Sequence, residues 1–259
     1  MPSDKSILCF GQNPSWGHWE KQTLFVHPGM KLTLPVEIKT EIPFEIHIGS
    51  GSCFKFIDAG HTFTCHLEQN AYLYHLGTVH KAHFILGADA TLIHRNIVHA
   101  PKNKTSELQV ELTQPKARLD WHEGVCLQQK ECYQTTIKIE HFAPLTHSEC
   151  CLKVIVKDNS NFNFTCDGYV YKEATKCTIH QKNLNHILSP QGHVTALPRL
   201  HIFNKHVEAS HGTATQPVPQ EALFYLQTRG LSAQQSEQLY LESFLQDCYS
   251  DYNAYNNGK

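Results

Sequence analysis

The sequence predicts an all-β core followed by short C-terminal α-helices. Three observations lead there. From about Leu32 to Ile202 the chain is a succession of short runs that alternate apolar and polar side chains, the period-two pattern of strands with one face buried. Turn clusters separate the runs and no helical periodicity lies between them. After Pro219 the apolar spacing changes to that of an amphipathic helix.

The strand runs come in order. Phe44–Ile48, Cys53–Ile57, Thr62–Leu67 and Ala71–Leu76 are followed by Leu108–Leu112, Thr136–Glu140 and Leu152–Val156. β-Branched and aromatic residues dominate them, as a pleated, half-buried surface favours. Between them stand Gly49-Ser50-Gly51-Ser52, Asp58-Ala59-Gly60, Gly87-Ala88-Asp89, Asp158–Asn161 and Asp167-Gly168, the residue types that turns select. A sandwich and a solenoid both fit this description. Two echoes favour the solenoid: Glu68-Gln69-Asn70-Ala71-Tyr72-Leu73 and Gly87-Ala88-Asp89-Ala90-Thr91-Leu92 share a turn, an alanine and a strand. Gly49–Phe54 is a looser third copy upstream, so the interval matches one coil of a stacked repeat.

At the C-terminal end, Pro219 can open a helix whose face is Leu223, Phe224 and Leu226, and Gly230 closes it. Ser232 with Gln235 forms a capping-box pattern for a second helix. Leu241, Phe244, Leu245 and Cys248 line its apolar stripe at i, i+3, i+4 and i+7. The expected organisation is an unassigned segment over 1–31, a β core over 32–210, a helical region over 211–249 and a flexible tail over 250–259.

Composition narrows the function. A formal charge of −2 supplies no field for phosphate backbones, which argues against nucleic acid. No run approaches the roughly 18 apolar residues of a membrane span, and the N-terminus lacks a signal-peptide run. Ten cysteines without a Cys-x-x-Cys pair read as free thiols in a reducing, cytoplasmic compartment. No phosphate-binding glycine loop is present, so any ATP chemistry belongs to a partner.

Several ordered elements carry a resemblance. Phe164 and Gly168 form a phenylalanine–glycine element, and Gln181–Ser189 (QKNLNHILS) is similar to a Q-x-N-x-N-L-L-L-S run. Pro198–Ile202 (PRLHI) is followed by Ser210-His211-Gly212, then by Glu221–Leu226 (EALFYL) and Arg229-Gly230. Together they resemble the C-terminal signature of the SufB/SufD family of iron–sulfur cluster assembly scaffolds, more its SufD branch. The resemblance implies a right-handed parallel β-helix and a non-enzymatic scaffold subunit. Its implied partners are a SufB-like paralogue and a SufC-like ABC ATPase. It implies that His211 stands in a turn at the paralogue interface where clusters assemble, and that Leu223, Phe224, Tyr225, Leu226 and Arg229 dock the ATPase. No stably bound cofactor is expected, only a transient iron–sulfur cluster at the partner interface. Two departures stand out. Ala209 occupies a position where SufD relatives often carry cysteine, and the family's N-terminal helical region has no counterpart here.

Other residues compete. Cys126 and Cys132 flank a polar turn and are lesser candidates for metal or persulfide. Cys150-Cys151 point to opposite faces of a strand and read as packing. Cys166 and Cys177 could stack on neighbouring coils. The histidines from His61 to His83, with Cys65 and His66, support an alternative: a metal-dependent β-helix or cupin-like enzyme.

Overall fold

The computed structural model describes residues 6–32, 34–99, 101 and 104–249. Two nine-stranded sheets face each other. Sheet A holds β1 (Ser6–Cys9), β4 (Val36–Lys39), β6 (Cys53–Ala59), β8 (Tyr72–Thr78), β10 (Thr91–His99), β12 (Arg118–Leu127), β14 (His147–Val156), β16 (Cys177–Ile187) and β18 (Val207–Gln216). Sheet B holds β2 (Gly17–Glu20), β3 (Thr23–Val26), β5 (Phe44–Ile48), β7 (Thr62–Leu67), β9 (Lys81–Leu86), β11 (Thr105–Leu112), β13 (Cys132–His141), β15 (Asn161–Val170) and β17 (His193–Ile202). The chain alternates between the sheets, and every pairing is parallel except β2 with β3. This is a parallel β-solenoid. The expected all-β core is present, and its strands begin before residue 32 and end after residue 210.

The repeat is set by in-register pairing. Cys53 lies beside Tyr72, and Tyr72 beside Thr91, so the early coils are 19 residues long. Arg118 lies beside His147, and His147 beside Thr178, giving later coils of 29 and 31 residues. The two echoes are successive copies of one corner. There Gly51, Asn70, Asp89, Lys116, Leu145 and Lys176 all have positive φ. Each amide of this corner reaches the next coil, from Gly51 N–H to Gln69 O through Lys176 N–H to His206 O. The residue after each is small or compact and buried: Ser52, Ala71, Ala90, Ala117, Thr146 and Cys177. A larger side chain there would collide with the neighbouring coils.

Apolar rows fill the interior, such as Phe54, Leu73, Leu92 and Leu119 on sheet A. A polar file runs beside them. Asp58 Oδ1 accepts from the backbone N–H groups of Gly60 and His61 and lies 2.8 Å from His61 Nδ1. His75 Nε2 stands 3.7 Å from Asp58 Oδ2, and His75 Nδ1 is 2.8 Å from His94 Nδ1. His94 stacks on Trp121 at 3.6 Å, and the Trp121 indole N–H donates to Glu123 Oε2 at 3.3 Å. Burial alone would raise the Asp58 carboxyl, but the histidine hydrogen bonds bring it below its usual range. Burial, then the neighbouring His75, holds His94 well below the usual histidine range, so it stays neutral. Burial pushes Glu123 up to about 7 against the partial relief of Trp121.

The helices also form where the pattern puts them. α1 (Gln220–Thr228) starts after Pro219, and Gly230 follows it in the left-handed region. α2 (Ala233–Phe244) has the reciprocal Ser232–Gln235 capping box. A short 3₁₀ turn, Gln246–Cys248, follows. Leu241, Leu245 and Cys248 are buried as their spacing requires. The segment 250–259, expected as a flexible tail, lies outside the described residues.

Two tests follow from this packing. Leu145 is exposed yet sits at φ 62, so Leu145→Gly should raise stability by about 1 kcal/mol in urea unfolding. Glu123 has a folded pKa raised above its ordinary value. Its contribution is therefore fully present below the unfolded pKa and is lost as pH rises through about 7. The Glu123→Gln variant removes that titration. Its stability relative to wild type should improve by about 2 kcal/mol between about pH 5 and about pH 8.

Candidate functional site: the open final coil and the docked helices

Each strand of the stack is covered on both edges by its neighbours, except at the ends. β17 and β18 are the terminal strands of their sheets. Nearly every residue of β18 is exposed, whereas β16 beside it buries Cys177, Ile179, Gln181, Asn183 and Asn185. On β17 the exposure reaches 53 % at Leu197, and Phe203 just beyond it is 60 % exposed. Leu197 and Phe203 lie on the outer face of sheet B, and the inward positions of the final coil, Leu200 and Ile202 on β17 and Val207, His211 and Thr213 on β18, have no described strand stacked on them.

His211 lies in the middle of β18, not in a turn. The expected turn is replaced because Val207–Gln216 pairs along its length with β16. Its register partner is Gln181, which sits on Cys150, which sits on Trp121. The same row continues to His94 and His75. His211 therefore occupies an inward row of the coil, exposed only because no further layer covers it. Beneath it Gln181 is buried, and neither atom of its amide has a hydrogen-bond partner among the described residues. Such a group costs about 1–3 kcal/mol when left unpaired. Close by, Asn185 donates to Asn183 Oδ1 and to Thr215 Oγ1, at 2.7 and 3.0 Å. Ala209 shares this end and offers no donor side chain.

The helices cover the outer face of sheet A. Leu241 and Leu245 pack with Ile155 and Val218, against Ile97, Cys126 and Leu188. Lys153 donates to Phe244 O and Asp247, and Lys157 to Glu237. Tyr240 reaches His186 at 3.3 Å. α1 is held differently: it buries no residue fully, and Leu223 is its contact with the α2 cluster. Phe224 is 69 % exposed, Tyr225 is also exposed, and the Arg229 guanidinium lies 5.2 Å from the Tyr225 ring centroid. Leu226 is half-buried. The five residues expected to dock an ATPase thus split into a packed side and an open side.

The competing candidates fall apart in space. His75 is inside the core, His80 approaches Thr105 O at the edge, and His83 points outward to Glu111 at 2.9 Å. His61 is tied to Asp58, Cys65 is in the core and His66 is outside it. These residues do not converge on one ion. Cys126 lies on sheet A beneath α2, where burial pushes its thiol up to about 11, and Cys132 is exposed at the start of β13. Cys150 and Cys151 are both buried, the first in the core and the second outside sheet A near Asp247. Cys166 and Cys177 sit on different sheets and do not stack.

Two groups of three potential metal ligands do converge among the described residues: Glu45, His47 and His66, and His122, Cys151 and Asp247. In the second, Lys153 already occupies Asp247, and burial pushes Cys151 up to about 12. Sequence reasoning gives Glu45 and His47 no role beyond a strand and reads Gln181 only as part of a family motif. A signal for one pair existed, since His47 and His66 are one early coil apart.

Comparison with known proteins accounts for this architecture. The family described as "SUF system FeS cluster assembly, SufBD core domain" matches residues 43–244. The chain is 25% identical over 194 residues to the iron–sulfur cluster assembly protein SufD of Escherichia coli (strain K12), covering 71% of this chain and 46% of that protein. It is 27% identical over 144 residues to an iron–sulfur cluster assembly SufBD family protein of Synechocystis, covering 49% of this chain and 32% of that protein. The chain therefore spans less than half the length of either relative. The family match takes in most of the coil stack, the open final coil and both helices, and on that breadth the chain belongs to the SufB/SufD family of iron–sulfur cluster assembly proteins.

Proposed function

We propose that this chain is a scaffold subunit of a Suf-type assembly complex, acting by association and without catalysis of its own. The open final coil supports this best. A solenoid end whose inward Leu200, Ile202 and His211 lie uncovered over an unpaired buried Gln181 is completed by another stacked layer. A SufB-like paralogue, built on the same coil, supplies a matching end. His211 then lies between the two chains, where a neutral imidazole can ligate iron. Ala209 offers no thiol, so thiolate ligands at this layer come from the partner. The cluster is cargo, held transiently at the joint and released.

α1 presents Phe224, Tyr225 and Arg229 outward while Leu223 and Leu226 face their own domain. Aromatic residues and arginine are enriched at the centre of partner surfaces. A SufC-like ABC ATPase docks there, and its nucleotide cycle is the source of movement. No described helix is long and apolar enough to cross a membrane, and the complex works in the cytoplasm.

Tagged chain should co-purify with the paralogue and the ATPase of its host. Removing residues 218–259 should release the ATPase and leave the paralogue bound. Loss of neither partner would contradict the assignment of the two surfaces. His211→Ala should keep both partners yet fail to support cluster assembly in a complementation assay. Full complementation would remove His211 from the assembly site.

A further inference from the structure

The outer face of sheet B carries a second feature, distant from the open coil and independent of the scaffold reading. Glu45 and His47 are alternate residues of β5, so their side chains leave the same face of the strand. His66, on β7, is the direct register partner of His47, and Thr64 is that of Glu45. The rings of His47 and His66 are 4.3 Å apart and inclined by 22°. Glu45 Oε2 lies 3.7 Å from His47 Nε2. One donor atom from each of the three residues falls within 4.8 Å of the other two.

We infer that Glu45, His47 and His66 form a binding site for a divalent first-row transition cation. The donor set is two imidazoles and one carboxylate, which suits zinc, cobalt, nickel or ferrous ions and lacks the thiolate that a soft ion prefers. Metal–nitrogen bonds of about 2.0–2.1 Å need the donors drawn closer than 4.8 Å. All three side chains are at least partly exposed, so their outer torsions can turn to close that distance. The backbone is already fixed, because two paired parallel strands hold the histidines side by side. On the neighbouring rung His83, register partner of Thr64, is held by Glu111, which also accepts from Gln109 at 3.0 Å. With three protein ligands, the remaining coordination positions face solvent and accept water or a small exogenous donor.

Co²⁺ titration of the purified full chain tests this directly. One equivalent should bind, giving weak visible d–d bands without the intense thiolate charge-transfer band, and Zn²⁺ should displace it. His47→Ala and His66→Ala should each weaken binding by at least about tenfold, and Glu45→Gln should weaken it as well. His147→Ala, on the opposite sheet, should leave it unchanged. Circular dichroism of each variant should match wild type, since the substituted side chains lie outside the core. Absence of saturable binding, wild-type affinity in either histidine variant, or a thiolate charge-transfer band would overturn the assignment.

Discussion

In-register parallel pairing between coils is the constraint on which everything else in this molecule rests. Each paired strand residue sits on its counterpart one coil away, so a choice made in one layer is imposed on the next. The left-handed corner, the small buried residue after it and the aliphatic rows are each a file of like positions. The polar file obeys the same rule. Asp58, His75 and His94 find partners one layer away, and Glu123 takes the indole N–H of Trp121 in its own strand. A stack built this way cannot close on itself, and it ends in a layer whose inward side chains lack a neighbour.

That unavoidable end is the surface we propose for a paralogous subunit. His211 belongs to the same row as Trp121, Cys150 and Gln181, so the scaffold fixes the imbalance between a well-packed core and an uncovered final row. The helices solve a different problem. α2 covers the outer face of sheet A with Leu241 and Leu245, and it carries α1 as an outrigger whose Phe224, Tyr225 and Arg229 remain in solvent. One end effect and one amphipathic stripe thus leave two surfaces uncovered.

Much of this was legible in the sequence. Alternation gave the strands, and the Asn70-Ala71 and Asp89-Ala90 echo gave the coil. Ser232, Gln235, Leu241 and Leu245 gave α2. The ordered motifs from Phe164 to Gly230 gave the family. What escaped was cross-coil adjacency. Coil length grows from 19 to about 30 residues along the chain, so no single period aligns all the rows. His47 and His66, and likewise His75 and His94, are separated by one early coil. Their pairing is readable only once that length is known. The turn that the resemblance implies at His211 is replaced by strand, because pairing with β16 along Val207–Gln216 imposes an extended conformation.

The central claim is that the final coil is an interface. Hydrogen–deuterium exchange of this chain, alone and with a SufB-like paralogue, measures it most directly. Amides of Glu208 to Thr215 on β18, and of Arg199 to Ile202 on β17, should exchange faster than those of β14 in the free chain. They should slow when the paralogue is added, while the outer face of sheet B stays unchanged. A complex that forms with no new protection on β17 or β18, or with protection confined to the opposite end of the stack, would contradict the account.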